Sequence, residues 1–219
     1  LIKHNIISGD LLTVTGKTLY ENVEHEPELN FDQHVILNLD KPFKKDSHIK
    51  ILYGNLAPRG AVAKISTDDN YFKGKAQVYN SEDDMLYDLK NHNISENTAI
   101  IIRNQGPKGG PGMPEMLKPS SALVGYGLKN VALITDGRWS GGSYGFLIGH
   151  VTPEAYNDGP LKDISNGDII TIDLEKGEIN YKNNKHKSKN KHVTKPHNLT
   201  GYLRKYRALV NDASKGCTT

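Results

Sequence analysis

Val131-Ala132-Leu133-Ile134-Thr135-Asp136-Gly137-Arg138-Trp139-Ser140-Gly141-Gly142-Ser143 passes from an apolar run straight into a glycine-rich turn. Four consecutive apolar residues bounded by a turn signal fit a buried strand. A strand that empties into a turn carrying Asp, Arg, Trp and Ser is the build of a functional loop. It does not by itself name a reaction.

Outward from this stretch the pattern repeats. Val35-Ile36-Leu37, Ile49-Lys50-Ile51-Leu52, Ala61-Val62-Ala63-Lys64-Ile65, Lys75-Ala76-Gln77-Val78-Tyr79 and Ile100-Ile101-Ile102 all read as strands. Asp168 to Leu174 and Glu178 to Tyr181 form a hairpin about Glu175-Lys176-Gly177. Ser81 opens a helix to about Asn91, with Asp83 and Asp84 in its first turn and Met85, Leu86 and Leu89 as its apolar stripe. A last helix is expected from Leu199 to Leu209, with Leu203, Tyr206 and Leu209 at helical spacing. Many short strands and few helices predict a β-rich α/β fold, and no internal repeat is visible.

A second glycine-rich segment lies upstream, Gly106-Pro107-Lys108-Gly109-Gly110-Pro111-Gly112-Met113-Pro114-Glu115-Met116. Residues 106–114 hold four glycines and three prolines, which excludes helix and central strand. Such a loop exposes backbone N–H groups and can cradle an anion, or it is simply a tight turn. It delivers Glu115 ahead of Ser120-Ser121-Ala122-Leu123-Val124, a candidate helix whose N-terminus would favour an acid. No Gly-Lys-Ser/Thr follows as a phosphate loop requires. In the downstream turn Ser140 follows the logic of a nucleophile elbow, but the Gly-x-Ser-x-Gly spacing is absent. His150 is the nearest histidine and reads more readily as a satisfied polar group than as a base. Arg138 could fork onto a carboxylate or pair with Asp136.

The chain has 219 residues, enough for one well-cored domain or two small ones. Its net charge of +3 is local: six lysines fall between Tyr181 and Lys195 without an Asp or Glu, and removing them leaves −3. That argues against nucleic-acid binding and makes residues 181–198 a solvated lysine-rich loop. No apolar run approaches the ~20 residues of a membrane span. The lone Cys217 excludes an internal disulfide or an all-cysteine metal site and fits a reducing compartment. The start, Leu1-Ile2-Lys3-His4, has neither Met nor a signal-peptide pattern, so an excised segment is expected.

Taken together with Leu12–Thr18, Gly54–Lys64, Gly149–Ala155, Gly159-Pro160, Asn166–Ile170 and Ala213–Gly216, the two glycine-rich loops resemble the dihydroxy-acid and sugar-acid dehydratase family. The resemblance implies that residues 1–219 form the C-terminal swivelling β/β/α domain of a dehydratase, with a barrel-like sheet and residues 1–20 as an interdomain entry segment. It further implies an iron–sulfur cluster, held by cysteines of an N-terminal domain outside this sequence, and Mg²⁺. On the same ground Glu115 is expected to ligate Mg²⁺, and Ser140 to act as the general base. Ser140, Gly141 and Arg138 are expected to meet the substrate, and Trp139 to pack.

The ending Asn211 to Cys217 is similar to branched-chain enzymes, so the expected substrate is a 2,3-dihydroxy-3-methyl acid of valine and isoleucine biosynthesis. A sugar-acid (aldonate) substrate is the alternative within the family. A non-catalytic binding or assembly module is the alternative for the segment by itself. The expected partners are the small-molecule substrate, the N-terminal domain and a second copy in a homodimer, with no nucleic acid and no membrane. A cytoplasmic location is expected, or an organelle in a eukaryote.

Overall fold

The structure, a computed structural model, describes residues 1–27, 32–43, 47–67, 69–183 and 198–219. Most of the lysine-rich segment 181–198 lies outside the described residues. The chain divides into two compact units, Leu1–Lys45 and Asp46–Thr219.

In the first unit, Leu12 pairs with Thr18 across a turn at Gly16. Helix α1 (Leu19–Val23) then starts on a capping box: the Glu21 N–H donates to Thr18 Oγ1 at 3.2 Å, and the Thr18 N–H donates to Glu21 Oε2 at 2.6 Å. Val35-Ile36-Leu37 is not a strand. The side chain of Gln33 accepts from the N–H groups of Val35 and Ile36 and donates to the Ile36 carbonyl. This local loop satisfies the backbone without a neighbouring strand and leaves Val35 exposed.

The second unit is built on β1 (Ile49–Leu52), β2 (Gly60–Ile65), β3 (Tyr71–Tyr79), α2 (Glu82–Lys90), β4 (Thr98–Ile102), β5 (Glu115–Met116), α3 (Lys118–Gly125), β6 (Ala132–Thr135), β7 (Arg138–Trp139), β8 (Phe146–Thr152), β9 (Ile169–Asp173), β10 (Glu178–Lys182) and α4 (Gly201–Leu209). Eight strands form one sheet in the order β1-β2-β8-β6-β4-β3-β9-β10. Its centre, β3-β4-β6-β8, is parallel, and its flanks are antiparallel.

The two edges nearly meet. The Tyr53 N–H donates to Gly177 O and Tyr53 O accepts from Ile179 N–H, both at 2.8 Å. Beyond it the Asn55 side chain acts as a strand residue, accepting from Tyr181 N–H at 2.7 Å and donating to Tyr181 O at 2.9 Å. The expected barrel-like sheet of a β-rich α/β fold is therefore present.

Both faces of the central strands are covered, which is why they read as unbroken apolar runs. Along β4, Ala99 and Ile101 join the core inside the sheet with Ile134, Ile148, Ile170 and Ile172. Ile100 and Ile102 face the other way, onto Met85 and Leu89 of α2 and Leu123 of α3. Ser81 caps α2 by accepting from the Asp84 N–H at 3.1 Å, as its sequence foretells. Helix α4 differs from expectation: it begins at Gly201 and none of its residues is buried, so Leu203 and Leu209 remain exposed. Among the described residues no helix is long and apolar enough to cross a membrane.

Candidate active site where two glycine-rich loops pair

Loops at the C-terminal ends of parallel strands β4 and β6 are held by two buried acids. Asp136, at the end of β6, accepts the N–H groups of Gln105 (2.8 Å), Asn104 (3.1 Å) and Ala155 (2.9 Å). Burial pushes its carboxyl up, against the pull of these N–H donors. Glu154 accepts from Lys108 N–H at 3.0 Å and Gly109 N–H at 2.9 Å. Burial raises it to about 7, partly offset by the same N–H groups. A side chain at Gly106 would collide with the Glu154 carboxylate, so the loop passes only as glycine. The N–H groups of this part of the upstream loop therefore point at the protein's own carboxylate.

Past Met113 that loop becomes β5, which pairs in parallel with β7 in the register Glu115↔Arg138 and Met116↔Trp139. Arg138 Nε donates to Met113 O at 2.7 Å, and its Nη1 lies 3.6 Å from Glu115 Oε1. The pairing of Arg138 with Asp136 that adjacency allowed is not formed, because Asp136 is taken up by backbone. The Ser140 N–H continues the ladder to Met116 O at 2.9 Å, and Ser143 Oγ donates to the same carbonyl at 3.2 Å. Glu115, Arg138 and Ser140 thus sit on one short two-stranded ribbon.

Ser140 is half-buried, and its Oγ accepts the Gly142 N–H at 3.3 Å. Gly141 is exposed at the turn. Trp139 packs on the outer core and donates Nε1–H to Ile148 O at 3.0 Å. His150 is half-buried, and its N–H donates to Gly137 O at 2.8 Å. Burial and the nearby Arg138 charge hold its imidazole below the usual histidine range.

A family model described as dihydroxy-acid/6-phosphogluconate dehydratase C-terminal matches residues 34–217. Proteins named dihydroxy-acid dehydratase from Flavobacterium psychrophilum, Francisella tularensis and Cytophaga hutchinsonii are 49%, 48% and 45% identical over the whole chain. The chain belongs to the dihydroxy-acid/6-phosphogluconate dehydratase family. It spans 40% of the length of these curated relatives.

In this dehydratase family member the C-terminal segment braces the upstream loop. Arg207 of α4 donates Nε–H to Lys108 O at 2.8 Å and lies over the Tyr156 ring at 5.0 Å. Arg59 pairs with buried Asp212 at 2.8 Å, and Cys217 Sγ lies 3.6 Å from Met113 Sδ. Asp136, Glu154 and Arg207 were not singled out for such roles in the sequence, since a lone acid or base carries no spacing signal.

The donor set fits Mg²⁺ in part. Glu115 is an open hard-oxygen donor, yet among the described residues no three His, Cys, Asp or Glu side chains gather as a metal site. Cys217 alone cannot hold an iron–sulfur cluster.

Proposed function

We propose that the chain is the C-terminal part of a hydro-lyase that converts 2,3-dihydroxy-3-methyl carboxylic acids to branched 2-keto acids. The observation that carries this reading is the β5–β7 ribbon, which puts a carboxylate, a guanidinium and a hydroxyl on neighbouring positions of an open surface. The substrate follows the name that the relatives carry, dihydroxy-acid dehydratase.

Dehydration of such an acid takes the weakly acidic proton from C2 and expels hydroxide from C3; the resulting enol relaxes to the 2-keto acid. In this reading Ser140 Oγ, ionised, accepts the C2 proton. A serine is a poor base in water, and the Gly142 N–H on its oxygen favours the charged form. Arg138 offers two donors to the substrate carboxylate, with the backbone at Gly141 beside it. Glu115 would hold Mg²⁺ as one ligand of several, the others coming from the larger protein. When bound, such an ion would supply the positive charge that makes the C2 proton more acidic. An iron–sulfur cluster, held by cysteines of an N-terminal domain and by no residue of this chain, would supply Lewis acidity toward the C3 hydroxyl. That domain and a second copy in a homodimer are the proposed macromolecular partners.

The test is kcat/KM of the full-length parent, purified without oxygen, for 2,3-dihydroxy-3-methylbutanoate against a panel of aldonic acids. A strong preference for the branched acid supports the reading. A preference for a sugar acid overturns the substrate while keeping the ribbon chemistry.

A further inference from the structure

An ammonium carries three donors and no acceptor, and a half-buried one must place all of them. Lys64 of β2 is half-buried. Its Nζ donates to three carbonyls of a single turn: Ser140 at 3.3 Å, Gly141, and Ser143 at 2.9 Å. None of the three is a carboxylate, and among the described residues no ion pair involves this lysine. The whole donor set of one cation is committed to the neutral turn that carries Ser140.

The planarity of the peptide bond gives this a direct consequence. In a trans peptide the C=O and N–H point in opposite directions. The Gly141 carbonyl and the Gly142 N–H belong to one peptide unit, so fixing the carbonyl on Lys64 aims the N–H away from it. That N–H is the donor to Ser140 Oγ, at 3.3 Å. A peptide between two exposed glycines has little else to determine its orientation, because glycine accepts either sign of φ at similar cost. The Gly141–Gly142 unit has such an anchor in Lys64.

We propose that Lys64 is a positioning residue for Ser140: it holds the Gly141–Gly142 peptide so that its N–H meets Ser140 Oγ. The proposal rests on the reading of Ser140 as the base. Without Lys64 the peptide is free to flip and present its carbonyl oxygen to Ser140 Oγ, which disfavours the ionised serine.

The experiment uses the full-length enzyme with its cluster and Mg²⁺, as wild type, K64M, K64R and S140A. It reads kcat, KM, the pH–rate profile and the isotope effect with C2-deuterated substrate. In K64M, kcat should fall on the order of 10- to 100-fold, with a much smaller change in KM. The rising limb of its pH–rate profile should move to higher pH, and the deuterium effect should grow as proton removal becomes limiting. K64R should recover part of the rate.

A K64M enzyme with an unmoved rising limb, with a loss in KM alone, or with wild-type rates would overturn the proposal. If K64M does not accumulate with cluster absorbance intact, K64A removes the same donors and is read by the same outcomes. An inactive S140A beside a K64M of wild-type behaviour sinks the proposal alone. An S140A that still turns over sinks the base reading, and the proposal with it.

Discussion

Arg138 and Glu115 face each other across the parallel β5–β7 pair, with Nη1 and Oε1 3.6 Å apart. Both side chains are near half exposure, 44% and 48%, so water screens the pair. Such contacts contribute about 0–1 kcal/mol, little enough for the carboxylate to exchange the guanidinium for a metal. Glu115→Gln is expected to raise the Mg²⁺ concentration needed for half-maximal activity and to lower kcat, leaving the melting temperature nearly unchanged. A magnesium titration of the full-length variant checks this. An unaltered half-saturation point would remove Glu115 as a ligand.

Ser140→Ala should lower kcat on the order of 10²- to 10⁴-fold, the range of a lost general base. The ladder bond from Ser140 N–H to Met116 O is backbone and survives the change. Cluster absorbance and far-UV dichroism should therefore match wild type, and rate assays beside both spectra decide it. Retained turnover with both spectra intact would exclude the serine.

Glu154 makes stability depend on pH. Its carboxyl is raised by burial to about 7 in the folded protein, from the ordinary glutamate value of 4.5. Between those values the native state keeps a proton that the unfolded chain has lost. This contribution to stability is therefore fully present below about 4.5 and is lost as pH rises to about 7, at up to about 1.4 kcal/mol per pH unit. Glu154→Gln cannot ionise. The stability of wild type relative to this variant should fall between pH 5 and pH 8, measured by denaturant unfolding at fixed ionic strength. A constant difference would mean that Glu154 does not titrate in this window.

Much of this architecture is legible in residues 98–104 and 131–143. Ile100-Ile101-Ile102 is apolar at every position, and the physical cause is a parallel strand covered on both faces. Strand β8 was not read, because Gly149 and His150 interrupt its apolar run and only its place beside β6 makes it a central strand. Val35-Ile36-Leu37 misleads in the opposite sense: the composition suits a strand, but Gln33 satisfies its backbone locally. In the site, Glu115, Arg138 and Ser140 come together on the β5–β7 pair, a juxtaposition that neither loop announces in its own sequence. Lys64 was hidden inside a strand pattern, where an interrupting lysine reads as a solvent-facing residue. Nothing in its spacing says that the chain 76 residues later returns to its ammonium.

The closure of the sheet can be tested at one glycine. Gly54 sits between β1 and the β10 edge at φ +152, and an added methyl would run into the Ile179 carbonyl and come within 2.7 Å of Asn180 Oδ1. The obstacle is strand backbone that is hydrogen-bonded to Tyr53, so it cannot yield as a side chain would. Gly54→Ala should therefore cost about 3 kcal/mol, the upper range for overpacking. It should also weaken amide-exchange protection in Ile179 and Tyr181, which donate across the gap. Gly125, at the end of α3, is the control: an added methyl meets nothing within 4 Å, and its φ is not in the left-handed region. Gly125→Ala should be neutral or stabilising by up to about 1 kcal/mol. Equal effects at the two positions would show that closing β1 onto β10 contributes no more to the fold than a glycine at a helix end.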